Sequence, residues 1–129
     1  MTVMTRPEKT FRLEPVHPKR EEAHTMPYVP AIHIVGACDL MFVSGATSSP
    51  LYHKHPHVDE EHVQPHAIEE QTERAMASIK SILDHVGASW RDVVKITKYL
   101  TDFRDADAMH RTMGKYFGDW RPASTTVCI

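Results

Sequence analysis

Asp92-Val-Val-Lys-Ile-Thr-Lys-Tyr-Leu-Thr-Asp102 is the stretch whose reading decides the fold. Val93, Lys95, Thr97 and Tyr99 alternate with Val94, Ile96, Lys98 and Leu100, and the run is rich in β-branched residues. A period of two with a mostly apolar set on one side predicts a strand covered on one face and partly wet on the other. Helical periodicity flanks it on both sides. From Ala67 to Val86, the positions Ile68, Thr72, Ala75, Met76, Ile79, Ile82, Leu83 and Val86 recur mostly at steps of three and four, which gathers them on one helix face. Glu69 and Glu70 suit the dipole at the start of that helix, and Gly87 suits its end. Downstream, a second helix is predicted from Asp105 to Phe117, with Ala106, Met109, Met113, Tyr116 and Phe117 inward and Gly118 as the stop. Met109 and Met113 at this spacing read as core.

Further out, Ser124-Thr-Thr-Val-Cys-Ile129 reads as a strand in which the chain stops. Before the first helix, Ile32-His-Ile-Val35 and Leu40-Met-Phe-Val-Ser44 flank the turn Gly36-Ala-Cys-Asp39 and predict a hairpin whose second strand is buried and ends at Gly45. Ala46 to Pro65 is a long loop carrying Pro50, Pro56 and Pro65, a length that compact domains reserve for functional or mobile segments. Residues 1–26, punctuated by Pro7, Pro15 and Pro18, read as an N-terminal arm or edge, with structure beginning near Tyr28. The order β-β-loop-α-β-α-β predicts an α+β fold, a mixed sheet with two helices packed on one face. A last strand ending at Ile129 would be an open edge unless another chain covers it or the natural protein continues.

The chain has 129 residues, enough for one core, and its 41% hydrophobic and 25% charged residues are those of a folded domain, not of a disordered tail or a membrane protein. The longest apolar run, Leu40-Met-Phe-Val43, is of strand length. The opening Met1-Thr-Val-Met-Thr-Arg-Pro7 lacks the apolar core of an export signal, so a cytoplasmic location is expected. A net charge of −2 announces neither a nucleic-acid nor a membrane partner. Protonating all ten histidines would move that charge to +8. Five of them, His53, His55, His57, His62 and His66, fall within fourteen residues of the proline-bearing loop. Cys38 and Cys128 belong to no CxxC pair, and both are expected to be reduced, small, buried side chains.

Six segments in order carry a family resemblance: Pro27-Tyr-Val29, Leu40-Met-Phe-Val-Ser-Gly45, a helix opened by Gln71 and ending Ser81-Ile-Leu-Asp-His-Val-Gly-Ala88, Asp92 to Asp102, Tyr116-Phe117, and Pro122-Ala-Ser-Thr-Thr-Val127. Over residues 27–129 the chain resembles the Rid family, reactive intermediate deaminases of the YjgF type, as a single domain. The resemblance implies a chorismate-mutase-like fold, a cytosolic homotrimer with ligand clefts between subunits, and hydrolysis of 2-imino acids or enamines to 2-oxo acids and ammonia without metal or cofactor. It also implies roughly 20 further residues beyond Ile129, among them a last strand carrying a glutamate that helps position or activate water.

This chain departs from the family pattern at the site. Where deaminating members have Pro-Ala-Arg-Ser or Pro-Ala-Arg-Thr, it has Pro122-Ala123-Ser124-Thr125, so Ser124 stands where the carboxylate-holding arginine is expected. A hydroxyl replaces a bidentate charged donor. A charge-assisted hydrogen bond contributes about 1.5–3 kcal/mol, so an imino acid should bind about ten- to a hundredfold more weakly. Arg121 could compensate from a neighbouring subunit, but its place before Pro122 sends it out of the strand at a different angle, and no rescue is the expectation. Pro30, His110 and Thr126 stand where the family often has Gln, Asn and Cys.

The chemistry itself asks for a protonated nitrogen, a delivered water and expelled ammonia. The candidate catalytic residues are Ser124 and Thr126, on one side of a strand, and His110 as the titratable group. Tyr28, the Ser44-Gly45 backbone and Arg121 are candidates for substrate binding. Taken singly, each has a structural alternative: Tyr28 as an interface aromatic, Ser124 and Thr126 as ordinary strand residues, His110 as a surface histidine. Imidazoles at His53, His55 and His57 suit zinc, nickel or copper. Their spacing in a proline-rich loop matches no standard structural site, and the expectation is no metal, with the loop as a flap or a solvated surface. Two functions follow. The first is a cofactor-free hydrolase of a small imine, enamine or related carbonyl compound, differing from ordinary 2-imino acids. The second is a non-catalytic trimeric small-ligand binder or regulator.

Overall fold

The structure, a computed structural model, describes residues 10–129. Four strands and two helices run in the order β1 (Phe11–Val16), β2 (Ala31–Gly36), α1 (Ile68–His85), β3 (Lys95–Leu100), α2 (Ala106–Phe117) and β4 (Ala123–Cys128). The fold is α+β. Its strands form two small sheets, an antiparallel β1–β2 pair and a parallel β3–β4 pair. A parallel bridge between Val29 and Ala123 links the segment before β2 to the start of β4.

β3, α2 and β4 make a crossover unit, and parallel strands require such a connection. Their register sets Ile96 beside Ser124, Lys98 beside Thr126 and Tyr99 beside Val127. Along β3 the inward residues are Ile96, Lys98 and Leu100, and the exposed ones are Lys95, Thr97 and Tyr99, the alternation expected from the sequence. α2 turns Ala106, Met109, Met113 and Phe117 onto Leu100, Met76 of α1 and Trp120, and both methionines are core as expected. Buried Thr72 and Thr112 satisfy their hydroxyls on the carbonyls of Ile68 and Ala108, one turn back. Trp120 Nε1 donates to Val93 O at 2.8 Å, which closes the polar needs of the core's one buried indole among the described residues. Tyr116 donates its hydroxyl to the Glu73 carboxylate, ties α2 to α1, and holds that carboxyl below its ordinary range.

α1 ends as its glycine predicts. Gly87 has φ 71°, Gly87 N–H donates to Asp84 O at 3.2 Å, and Ala88 N–H donates to Leu83 O at 2.9 Å. This pair of bonds satisfies carbonyls that the helix end would otherwise leave open. Gly36, with φ 101°, ends β2 where a Cβ would lie 2.7 Å from Thr10 O.

Three expectations are corrected. The arm contains a strand: β1 pairs with β2 in the register Leu13–Ile34 and Pro15–Ile32, and a turn of 3-10 helix follows over Arg20–Thr25. Pro15 is tolerated because an edge strand needs no donor on its open side. Residues 1–9 of that arm, with Pro7, lie outside the described residues. Leu40–Ser44 is not the buried partner of β2. It forms no ladder, Leu40 and Phe42 are 65% and 92% exposed, and the strand paired with β2 is β1. Cys38 is half-buried, and Cys128, at the outer end of β4, is exposed.

Candidate functional site

The inward phase of β3 places one cation among apolar neighbours. Lys98 stands between Ile96 and Leu100 on the covered face and meets His110, which α2 carries across the sheet. The Lys98 ammonium donates to His110 Nε2 at 2.7 Å, an arrangement that leaves the ring proton on Nδ1. Both groups line a cleft of about 280 Å³ with Ser124 and Arg121. His24 and Thr25 add a polar edge, and Met26, Pro27, Met113, Phe117, Trp120 and Pro122 supply apolar walls. Among the described residues no carboxylate lines it.

The electrostatics follow from that setting. Burial, with repulsion from Lys95 second, pushes Lys98 down from 10.5 to about 8. His110 also falls below its ordinary 6.5, because burial and then the Lys98 charge oppose protonation, against a smaller pull from Asp107. Near neutral pH the pair therefore carries one shared positive charge, an ammonium proton facing an imidazole lone pair. Ser124 Oγ is buried and has no hydrogen-bond partner, an unusual state for a hydroxyl and an opening for a bound polar group. Arg121 Nη1 donates to Gly118 O and, at 3.0 Å, to Trp120 O, so its guanidinium is anchored at the C-terminal end of α2.

Of the residues proposed from sequence, the fold gathers His110, Ser124 and Arg121 into one cleft. Thr126 is half-buried beside Lys98 in the ladder, one step beyond the lining. Tyr28 is exposed, next to cleft-lining Pro27 but not itself on the wall. Ser44 and Gly45 are exposed and do not line it, and the segment that should have carried them to a strand end forms no strand. Sequence reasoning missed Lys98. The available signal was a lysine at the inward phase of an otherwise apolar alternation.

The model of the family described as Endoribonuclease L-PSP matches residues 19–129. The chain belongs to this Rid/YjgF family. A RutC family protein of Pyrococcus abyssi is 47% identical over 60 residues, which are 46% of this chain and 47% of that one. The 3-aminoacrylate deaminase RutC of Acinetobacter baylyi is 34% identical over 103 residues, 80% of this chain and 74% of that enzyme. In the first of these and several other curated Rid/YjgF relatives, the matched segment spans about half of the relative's length. Among solved structures, a candidate endoribonuclease from Thermotoga maritima superposes with a TM-score of 0.60 at 34% identity, over 81% of this chain and 74% of that one. The α+β arrangement is thus the chorismate-mutase-like fold of the Rid/YjgF family, here resolved into two small sheets.

Proposed function

We propose that this Rid/YjgF protein hydrolyses a small anionic imine or enamine to the corresponding carbonyl compound and ammonia, using the cleft between β3, β4 and α2. The observation that carries the reading is that the hydrogen-bonded Lys98–His110 pair lines one cleft with Ser124 and Arg121. The Acinetobacter baylyi relative acts on an enamine, 3-aminoacrylate, which supports the reaction class.

The step balances without a cofactor. An enamine first takes a proton on carbon to become the imine. Lys98 then gives a proton to the imine nitrogen, and the neutral amine turns from His110, whose freed Nε2 lone pair takes one from the attacking water. The carbon gains O–H, the C=N π pair moves to nitrogen, and a second proton transfer lets ammonia leave as C=O forms. Lys98 and Arg121 supply the positive charge that Ser124 does not, so a carboxylate on the substrate keeps a partner. The family description names RNA cleavage. A cleft of about 280 Å³, just below the usual small-ligand range, fits a molecule of a few carbons better than a polymer.

Assembly belongs to the same proposal. A homotrimer would cover the open apolar surfaces, and a neighbouring copy would wall the cleft further. A second reading, a small-ligand binder that has lost the chemistry, draws on Ser124 standing in the arginine's place. An amino-acid oxidase generating imines in the presence of semicarbazide separates the two. The enzyme reading expects less trapped imine and faster ammonia release when the protein is added, for acidic and small neutral substrates alike. Unchanged trapping across the series overturns it.

A further inference from the structure

The loop between β2 and α1 brings four imidazoles together far more closely than its sequence spacing promises. The coordinating nitrogens of His53, His55 and His57 all lie within 4.8 Å of one another. His62 joins them, its ring centroid 4.9 Å from that of His53 and 4.8 Å from that of His57. None of the four lines the Lys98–His110 cleft.

Two second contacts orient the rings as ligands. His53 Nδ1 lies 3.1 Å from Pro50 O; a carbonyl only accepts, so the ring proton sits on Nδ1 and Nε2 keeps its lone pair. His62 Nδ1 lies 3.1 Å from Ser49 Oγ, which also accepts from Gln64 Nε2 at 2.9 Å. Ser49 Oγ can accept from or donate to Nδ1, and in the tautomer in which it accepts, His62 presents Nε2 as a second lone pair. That Nε2 is buried and has no partner, which is costly for a ring nitrogen that nothing ligates. An imidazole held through its other nitrogen by an oxygen is how proteins fix metal-bound histidine. The loop is braced as well: Lys54 N–H donates to Glu61 Oε2 at 3.0 Å, closing the His53–His57 segment onto the turn that carries His62.

We infer that His53, His55, His57 and His62 bind a divalent transition-metal ion of the zinc type and clamp this loop. Zinc takes imidazole at 2.0–2.1 Å, which in a tetrahedron sets nitrogens about 3.3 Å apart. Side chains on a partly exposed loop reach that distance by closing over about 1.5 Å or less, judged against the same zinc geometry. Four imidazoles leave no open position, so the site is structural and separate from the hydrolytic reading.

Untagged protein stripped with EDTA tests this by calorimetric titration with zinc chloride, followed by Co²⁺ loading to read geometry. One ion per chain and the intense visible bands of tetrahedral Co²⁺ are expected. The double variant His53→Ala/His57→Ala should lose about a hundredfold or more in affinity. Ser49→Ala should lose about tenfold through the untethered His62, a response that an adventitious histidine-rich surface would not give. His66→Ala, an exposed histidine outside the cluster, should bind as the parent does. Absent stoichiometric binding, an octahedral Co²⁺ spectrum, or affinity indifferent to the double variant overturns the site.

Discussion

Lys98 on β3 and His110 on α2 stand with Nζ and Nε2 2.7 Å apart, so the strand and its crossover helix share one proton across the cleft. Strand and helix thus hold two basic groups with separated affinities, the arrangement that general acid–base chemistry near neutral pH uses. Lys98 titrates near about 8 and His110 below 6.5, so ammonium and neutral imidazole coexist between these limits. The rate of imine hydrolysis should therefore be bell-shaped in pH, falling above about 8 and again below 6.5. Replacing His110 by Gln should remove the acid limb and lower kcat about a hundredfold, within the range general catalysis supplies. A stopped-flow pH series on parent and variant measures both; a parent profile flat from pH 6 to 9 contradicts the assignment.

Lys98 should also be a liability for stability. Its folded amine titrates near about 8 and its unfolded amine near 10.5, so below the lower value both states are protonated and the fold bears the full cost of partly burying the charge. Between the two values the unfolded chain binds more protons, and stability rises with pH. The difference corresponds to roughly 3 kcal/mol at full weight, of which a partly solvated ammonium realises about 1 kcal/mol. Lys98→Met should thus raise stability at pH 7 by about 1 kcal/mol while abolishing turnover. Urea melts at pH 7 and 10 test this, and the variant's advantage should shrink at the higher pH.

How much of this was legible in the sequence differs element by element. α1, β3, α2 and β4 were legible because each buries one face with a clear period, and the glycines after the two helices stop them. β1 was not, because Pro15 reads as a breaker unless the strand is known to be an edge. Leu40–Ser44 misled in the opposite sense: an apolar run predicts a buried strand, but an apolar run alone does not say what pairs with it or covers it, and here β2 pairs with β1 while Leu40 and Phe42 stay exposed. At the site, His110, Ser124 and Arg121 were found from sequence. Lys98 was passed over since its alternation was read for burial and not for charge. The histidine loop was visible as composition only, since which rings converge depends on turns that Pro50, Ser49 and Glu61 close.

Arg121 offers a sharper test of substrate charge. With Lys98 it supplies positive charge to a cleft that no carboxylate lines among the described residues. Arg121→Ala should raise KM for an anionic imine about tenfold or more, the worth of one charge-assisted hydrogen bond, and leave neutral imines nearly unchanged. Equal effects on both would mean that Arg121 only braces the end of α2 through Gly118 O and Trp120 O.

Two residues of the same helical stripe should behave differently. Met76 is 2% exposed inside the core, whereas Val86, at the C-terminal end of α1, is 46% exposed. Met76→Ala should cost about 2–5 kcal/mol through lost burial and the cavity left behind. Val86→Ala should stay within about 0.5 kcal/mol. Paired denaturant melts check the contrast, and a large loss at Val86 would place a further apolar partner against that end of the helix.

The exposed apolar surfaces carry the last expectation. Phe42 is 92% exposed beside Leu40 at 65%, and on the outer face of β3–β4, Tyr99 is 64% exposed opposite Val127. Adjoining aromatic and aliphatic side chains left open to water mark a surface that another chain covers. Light scattering after gel filtration should therefore give a mass of three copies for the parent protein. A carboxylate at position 42 would have to be buried unpaired in such an interface, which is strongly unfavourable. Phe42→Asp should dissociate the trimer or weaken it about a hundredfold, with the helical circular dichroism kept, since this side chain supports none of the packing around Met76 and Phe117. A monomeric mass for the parent at micromolar concentration would remove the trimer from the proposal and leave the Lys98–His110 cleft to act within one chain.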